Sequence, residues 1–324
     1  MKLIIQIPCY NEAETLPQVM ADLPVAIPGI SCIETLVIDD GSDDETVAVA
    51  QASGVDHVVS HKANLGLARA FQTGIEKALQ LGADIIVNTD ADNQYPGRFV
   101  PALVAPILQG QADIVVGDRQ TDRIPHFSAT KKFFQRLGSL IVQTVSGTRV
   151  PDTVSGFRAY SREAALRVNV LTRFSYTLET IIQAGKMGLA ISSVPIETNP
   201  PTRPSRLGKN MFSFIKAQAS TILRVYAFYE PLRTFTYLAA PFLLLGGGAL
   251  LRFLYFVVTE QSGIGRYSQS VMIGTGFFLL GMFIALFGIQ ADIAGKHRQL
   301  TQEVLYRLRK QELERVKANI DEKQ

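Results

Sequence analysis

Short runs of aliphatic and β-branched residues alternate with helical patterns over roughly the first 120 residues. The apolar runs predict strands at Leu3–Ile7, Thr35–Asp39, His57–Ser60, Asp84–Thr89 and Asp113–Gly117. Apolar residues recur at helical spacing over Glu14–Leu23, Asp44–Ala52, Leu67–Leu81 and Arg98–Leu108. Strands separated by helices indicate βαβ units, so we expect an α/β, Rossmann-like fold with a mainly parallel sheet. Such a sheet binds ligands at the carboxyl ends of its strands, where the strand order reverses.

The middle of the chain, from residue 121 to about residue 210, has a more mixed pattern. We predict a basic helix over Lys131–Val145, a second helix near Ser175–Ala184 and a strand over Ala190–Ile196. The loop that follows, residues 198–206, is rich in proline and arginine. We expect this loop to be ordered by the restricted backbone of its prolines more than by strand-like hydrogen bonds.

Two uncharged segments near the C-terminus predict membrane spans. Thr234–Leu251 has 18 residues without a charge and Val271–Ile289 has 19, which is enough to cross roughly 30 Å of hydrocarbon. Two buried helices of a soluble core are the less favoured alternative. Basic residues flank the pair on both outer sides, as at Arg233 and Lys296, so the positive-inside rule places both ends in the cytoplasm.

These patterns predict four regions in an inner-membrane protein. Residues 1–208 form a cytoplasmic α/β domain, and residues 209–233 form an amphipathic helix in the membrane interface. Residues 234–293 form a two-span hairpin, and residues 294–324 form a charged cytoplasmic helical tail. The spans and the tail are candidate contacts for a homo-oligomer.

Composition narrows the class of protein. Hydrophobic residues make up 47% of the chain, which agrees with a membrane segment. A net charge of +3 is too small to indicate a nucleic-acid partner. Cys9 and Cys32 are the only cysteines and lack the spacing of a metal site, so we expect both to be reduced, with no disulfide framework or zinc.

Acidic residues follow two of the predicted strands. Asp39-Asp40-Gly41-Ser42 ends one strand, where Gly41 would allow a ligand to approach closely, and Asp90 and Asp92 follow another. Two carboxylates one residue apart repel each other at low dielectric, unless a hard divalent cation bridges them to a diphosphate. Taken alone, the pair is a weak signal, because most such pairs cap a helix. No glycine-rich dinucleotide fingerprint or Walker loop follows a predicted strand, which favours nucleotide-sugar chemistry over hydride transfer.

Six motifs occur in an order that resembles family 2 glycosyltransferases with the GT-A fold. They are Ile7-Pro8-Cys9-Tyr10-Asn11-Glu12, Asp39-Asp40-Gly41-Ser42, Asn64-Leu65-Gly66-Leu67, Thr89-Asp90-Ala91-Asp92-Asn93-Gln94-Tyr95, Gly117-Asp118-Arg119, and Asp152 with Ser155-Gly156-Phe157-Arg158. The resemblance covers about residues 1–210. It is to the branch of dolichol-phosphate mannose synthase and bacterial polyprenyl-phosphate glycosyltransferases, some of which carry a two-helix anchor.

The resemblance implies a site for a nucleotide sugar and a metal ion. The nucleotide would be bound by Pro8, Tyr10, Glu12, Asp39 and Asp40. The metal ion, Mg²⁺ or Mn²⁺, would be held by the hard oxygens of Asp90, Asp92 and Gln94. The catalytic residues would be Asp90, Asp92, Arg119 and Asp152. For Glu12, an acid that complements a helix dipole is a second interpretation.

The acceptor that the resemblance implies is a polyprenyl phosphate. A phosphate oxygen is already anionic at neutral pH, so it needs positioning and charge neutralisation more than a strong base. The candidates to hold it are Arg119, Arg136, Ser139, Arg203 and Arg206. The cluster Lys131–Arg136 departs from the expected arginine-to-serine spacing and could equally rest on anionic headgroups. Asp152 and Arg158 either orient the acceptor or pair with each other.

The expected activity is transfer of a hexosyl group from a nucleotide sugar to undecaprenyl or dolichyl phosphate, with inversion. UDP-glucose is the preferred donor, and a GDP-mannose-dependent dolichol-phosphate mannose synthase is the alternative. A processive polysaccharide synthase is disfavoured, because the chain has no tryptophan for the Gln-x-x-Arg-Trp motif of those enzymes. A non-catalytic nucleotide-sugar sensor is disfavoured because Asp40, Asp90, Asp92 and Gln94 are all present.

Overall fold

The structure, a computed structural model, describes residues 1–120, 129–170, 176–200, 224, 227–260 and 268–321. Contacts divide the chain into two units. The first comprises Met1–Ile215 with Gln302–Gln324, and the second comprises Lys216–Thr301.

A mixed sheet is the centre of the first unit. Within the described residues its strands are β1 (Lys2–Cys9), β2 (Cys32–Asp39), β3 (His57–Ser60), β4 (Ile85–Asn88), β5 (Ile114–Asp118), β6 (Arg158–Ser161) and β7 (Ile191–Pro195). Their spatial order is β3-β2-β1-β4-β6-β5-β7. Every pairing is parallel except those of β6, which runs antiparallel to β4 and β5. The order of the strands reverses between β1 and β4.

Helices cover both faces of this sheet, as the alternation of strands and helical patterns predicts. They are α1 (Leu16–Asp22), α2 (Thr46–Ala52), α3 (Leu67–Gln80), α4 (Val100–Leu108), α5 (Ala129–Ser146), α6 (Arg162–Arg167) and α7 (Tyr176–Lys186). Strand β1 is apolar and buried along almost its whole length, which is typical of a central parallel strand. Its Leu3, Ile5 and Ile7 join one core cluster with α4, while Gln6 lies against α3 on the other face. Burial of each such aliphatic side chain contributes roughly 1.5–3 kcal/mol.

The second unit contains two long apolar helices, α8 (Pro231–Glu260) and the first part of α9 (Ser268–Asp321). By length and composition both helices are able to cross a membrane. Glycines on α9 let the two helices pack closely: a Cβ on Gly281 would lie 2.7 Å from Leu243, and one on Gly288 would lie 2.7 Å from Phe235. Small residues at such contacts are common between membrane helices.

The structure extends the sequence-based picture at two places. It adds β6 and α6, which the hydrophobic pattern did not predict, and it makes the second span and the tail one continuous helix. Within the first unit, the C-terminal part of α9 contacts α6 and α3: Tyr306 donates to Glu163 (2.9 Å) and Arg309 donates to Glu76 (2.9 Å). Most of the predicted interface helix, residues 209–223 and 225–226, lies outside the described residues.

Candidate active site

The site lies at the carboxyl edge of the sheet, beside the point where the strand order reverses. Pro8 is the penultimate residue of β1, Asp39 ends β2, and Asp90 follows β4 by two residues. Strands β1 and β4 are parallel neighbours, with Gln6 paired with Asn88, so the segments that follow them start side by side. Arg119 directly follows β5. In open α/β sheets this crevice is the usual place for a ligand.

Backbone strain is concentrated at the same edge. Within the described residues, the non-glycine positions with positive φ are Asn11 (55°), Asn93 (55°) and Gln120 (46°). Each directly follows a predicted site segment: Pro8 to Tyr10, the Asp90–Asp92 turn and Arg119. A left-handed conformation is unfavourable for residues with a side chain, and such conformations cluster at functional sites.

The acidic pair after β4 has the electrostatics of a cation site. Asp90 and Asp92 are both partly exposed. Burial and the neighbouring charge of Asp92 raise the pKa of Asp90 to about 7, although Arg119 opposes the shift. A divalent cation would relieve this repulsion, and carboxylate oxygens are the ligands that Mg²⁺ and Mn²⁺ prefer. The donor set therefore fits the metal ion that the sequence predicts.

Gln94 lies in the same turn and is tied to the loop after β7. The Gln94 backbone N–H donates to Asp92 Oδ1 (3.1 Å), and the Gln94 carbonyl accepts from the Asn199 backbone N–H (3.0 Å). The side chain of Asn199 also donates to the Asn93 carbonyl (2.8 Å). The loop after β7 thus fixes the backbone of the acidic turn, a role for Asn199 that the sequence did not indicate.

Arg119 and Asp152 form a bidentate ion pair. Arg119 Nε lies 2.7 Å from Asp152 Oδ2, and Arg119 Nη2 lies 2.9 Å from Asp152 Oδ1. Burial alone would raise the pKa of Asp152, but the hydrogen bonds and charge of Arg119 hold that pKa below its ordinary value. Asp152 Oδ1 also accepts from the Ser155 N–H (3.2 Å), which links the pair to the loop beside Asp90.

The structure corrects the hypothesis that Asp152 and Arg158 pair with each other. Arg158 is fully buried and donates to the carbonyls of Thr153, Ser155 and Thr177, with a further bond to the Thr180 hydroxyl. These bonds are 2.7–2.9 Å long. Arg158 therefore ties the loop before β6 to α7, and Asp152 pairs with Arg119.

The carboxylate of Asp40, directly after β2, accepts hydrogen bonds from the protein itself. Asp40 accepts from the backbone N–H groups of Leu65 (2.9 Å) and Gly66 (2.8 Å) and lies 2.8 Å from His61 Nδ1. Gly41 permits this approach of two loops: with φ at +73°, a Cβ there would lie 2.6 Å from the Ala63 backbone. The close approach that we expected for a ligand at Gly41 is made by the chain itself.

The remaining residues predicted to bind the nucleotide lie along the same edge. Pro8 and Glu12 are buried and Tyr10 is partly exposed. Glu12 Oε2 accepts from the Thr15 hydroxyl (3.0 Å), and the Glu12 carbonyl accepts from the N–H of Leu16, the first residue of α1. Asp39 Oδ1 accepts from the Ser42 N–H (3.0 Å).

The predicted acceptor residues are brought together only in part. Ser139 on α5 is buried, and its hydroxyl lies 3.2 Å from Thr153 Oγ1, beside the Arg119–Asp152 pair. Arg136 lies one turn earlier on α5 and is exposed. Arg203 and Arg206 lie outside the described residues, as do the side chains of 131–135 in the basic cluster.

Comparison with known proteins defines the class of the molecule. Residues 4–168, just over half of the chain, match the glycosyl transferase family 2. The chain belongs to this family, and its mixed α/β sheet has the GT-A arrangement.

Three known proteins illustrate the likeness. The undecaprenyl-phosphate mannosyltransferase of Micrococcus luteus is 27% identical over 60% of this chain and 83% of its own length. The UDP-N-acetylglucosamine–dolichyl-phosphate N-acetylglucosaminyltransferase of Methanococcus voltae is 30% identical over 59% of this chain and 83% of its own. The glucosyl-3-phosphoglycerate synthase of Mycobacterium tuberculosis, solved with Mn²⁺, UDP-glucose and phosphoglyceric acid, has a TM-score of 0.53 and 23% identity, over 70% of this chain and 79% of that one. This last likeness concerns the fold.

Proposed function

We propose that this chain transfers a hexosyl group from a nucleotide sugar to a polyprenyl phosphate at a membrane, with inversion at the anomeric carbon. The observation that carries the proposal is the placement of the Asp90–Asp92 pair beside the Arg119–Asp152 pair at one edge of the sheet. The first pair suits a cation and a diphosphate, and the second pair presents a fixed guanidinium to an anion. Two apolar helices on the same chain agree with a lipid acceptor.

The donor half of the site would work by charge. A bound Mg²⁺ or Mn²⁺ would supply positive charge against the departing diphosphate. Asp90, Asp92 and Gln94 would hold that ion, and the bonds from Asn199 would keep their turn from moving. Pro8, Tyr10, Glu12 and Asp39 would form the nucleotide pocket.

The acceptor half would work by positioning. Bidentate pairing engages Nε and Nη2 of Arg119, which leaves Nη1 to face an incoming phosphate. Ser139, Arg136, Arg203 and Arg206 are the further candidates for that phosphate. A phosphate oxygen needs little deprotonation at neutral pH, so orientation and neutralisation would supply most of the rate enhancement.

Polyprenyl phosphate is the preferred acceptor because two relatives whose names differ in the sugar share a lipid phosphate. Their names also show that the sugar varies within this group. UDP-glucose remains our preferred donor, with GDP-mannose as the alternative.

The test of the metal role is Asp92→Asn in the purified full-length chain. We expect turnover to fall at least about 100-fold, while the protein still inserts and folds, because the cation loses a charged ligand. Glu14→Gln removes one negative charge from an exposed position near the same edge and is the control. Asp92→Asn activity close to that of Glu14→Gln would overturn the metal role.

Orientation is the second part of the proposal: the α/β unit and both termini face the cytoplasm. Cys32 is exposed and Cys9 is buried, so a membrane-impermeant maleimide reports on Cys32. We expect labelling in inside-out vesicles and none in intact cells. Labelling in intact cells would contradict the orientation.

A further inference from the structure

A row of buried polar side chains crosses the centre of the sheet just below the acidic pair. Gln6 on β1 is in register with Asn88 on β4, and Asn88 is in register with Arg158 on β6. All three residues are fully buried. The sheet would be expected to carry aliphatic residues there, because burial of a polar group is costly unless its hydrogen bonds are made.

Gln6 and Asn88 form a directed chain of hydrogen bonds that continues to Tyr176. Gln6 Nε2 donates to Asn88 Oδ1 (2.8 Å), and Asn88 Nδ2 donates to the Gly156 carbonyl (2.9 Å) and to Tyr176 Oη (3.2 Å). A carbonyl can only accept, so the amide nitrogen of Asn88 must face Gly156. Its second hydrogen is then directed at Tyr176, whose oxygen accepts it. The hydrogen of the Tyr176 hydroxyl is left for another acceptor.

The carboxylate of Asp90 and the hydroxyl of Tyr176 both lie against Gly156. A Cβ on Gly156 would lie 2.6 Å from Tyr176 Oη and 3.1 Å from each carboxylate oxygen of Asp90. Phenol and carboxylate therefore border the same small space, which only glycine leaves open. A tyrosine hydroxyl is both donor and acceptor at neutral pH, so the Tyr176 hydroxyl that accepts from Asn88 can also donate.

We propose that Tyr176 is a positioning residue for Asp90: its hydroxyl, oriented by Asn88 and Gln6, holds the Asp90 carboxylate in the orientation that binds the cation and the diphosphate. The proposal rests on the function proposed above. This role explains why a polar chain is buried below the site. Loss of a group that hydrogen-bonds to a metal ligand typically weakens metal affinity about 10- to 100-fold.

The alternative is that Tyr176 serves only to pack the core. Its ring stacks on Phe71 with centroids 4.3 Å apart, and this contact would stabilise the fold without any hydroxyl. Tyr176→Phe separates the two roles, because it keeps the ring and removes the hydroxyl. Tyr160→Phe is the matched control: Tyr160 is fully buried, its ring lies 5.7 Å from Phe71, and within the described residues its hydroxyl has no hydrogen-bond partner.

The experiment measures Mn²⁺ binding to the full-length protein in detergent by calorimetry, with UDP present, alongside thermal unfolding. We expect Tyr176→Phe to weaken Mn²⁺ binding about 10- to 100-fold, with an unfolding temperature close to that of Tyr160→Phe. Asn88→Ala should weaken Mn²⁺ similarly, and the double variant should lose little more, because both changes interrupt one chain.

Equal Mn²⁺ affinity in Tyr176→Phe and Tyr160→Phe would overturn the positioning role while leaving the proposed transferase function intact. Independent, additive losses in the double variant would also overturn it. A wild-type chain that binds no Mn²⁺ with either UDP or GDP would overturn the proposed metal site and this inference together.

Discussion

Asp152→Asn measures how far the order of the site depends on the ion pair with Arg119. The substitution keeps the shape of the side chain and removes its charge. The Asp152 side chain is 2% exposed and that of Arg119 is 16% exposed, so the guanidinium would be left largely out of water without its partner. Breaking a buried pair in this way costs about 3–5 kcal/mol, and we expect the lower end because an amide oxygen can still accept one bond.

A loss of about 3 kcal/mol corresponds to a fall of roughly 6–12 °C in unfolding temperature for a unit of this size. The control is Glu197→Gln, which breaks the Arg98–Glu197 pair at 3.0 Å, where the side chains are 58% and 80% exposed. Such an exposed pair contributes about 0–1 kcal/mol, so its unfolding temperature should stay within about 3 °C of wild type. Equal shifts in the two variants would refute the reasoning.

The same variant predicts a dependence on pH. The folded pKa of Asp152 is depressed, so its stabilising contribution is complete above its ordinary pKa and is lost as the pH falls through the folded value. The gap in unfolding temperature between wild type and Asp152→Asn should therefore be constant from pH 8 to 5 and narrow only below about pH 4. A gap that closes near neutral pH would point to a different group.

Two further substitutions test the neighbourhood of the acidic turn. Gly156→Ala should lower stability by about 1–3 kcal/mol and weaken Mn²⁺ binding, because its Cβ meets Tyr176 and Asp90. The control is Gly138→Ala, which has open space around its Cβ and should be neutral or slightly stabilising. Similar unfolding temperatures in the two variants would contradict this prediction. Asn199→Ala should weaken Mn²⁺ binding about fivefold in a calorimetric titration, the equivalent of one neutral hydrogen bond to the Asn93 carbonyl; an unchanged affinity would contradict it.

The hydrophobic pattern predicted six of the seven strands among the described residues, from the fully buried β4 to the partly exposed β3 and β7. The apolar runs of β1 and β4 made both strands visible in the sequence, although the predicted ends differ from the observed ones by one or two residues. Strand β6 was not visible, because it begins with Arg158 and has no apolar run. The burial of that arginine depends in part on the Thr177 carbonyl and the Thr180 hydroxyl, which α7 brings from about 20 residues away, and local pattern carries no information on such contacts.

The candidate site was likewise predictable only where its residues form a local motif. The position of Asp90 and Asp92 after a buried strand, and their motif, identified the acidic turn. Arg119 and Asp152 are 33 residues apart, and Asn88 and Tyr176 are 88 residues apart. No sequence motif relates residues at these separations, so neither contact could be predicted. A polar residue within a predicted central strand, such as Gln6 or Asn88, is the one local signal that could have indicated the buried chain.

The occupied carboxylate of Asp40 also changes how the nucleotide pocket is interpreted. Its bonds to Leu65 and Gly66 join the loops after β2 and β3, so this residue builds a wall of the pocket. In the proposed function, the nucleotide contacts at this edge would then come chiefly from Pro8, Tyr10, Glu12 and Asp39. The strained conformation of Asn11, between Tyr10 and Glu12, agrees with a segment held in place for binding.

The most direct test of the central claim is transfer by the purified full-length chain in detergent, with radiolabelled UDP-glucose or GDP-mannose, undecaprenyl phosphate and Mn²⁺. We predict a labelled lipid product with one of these donors, lost on chelation of the metal and lost when undecaprenol replaces the phosphate. Absence of metal-dependent glycolipid with either donor and with UDP-N-acetylglucosamine, in a protein that remains folded, would contradict the account.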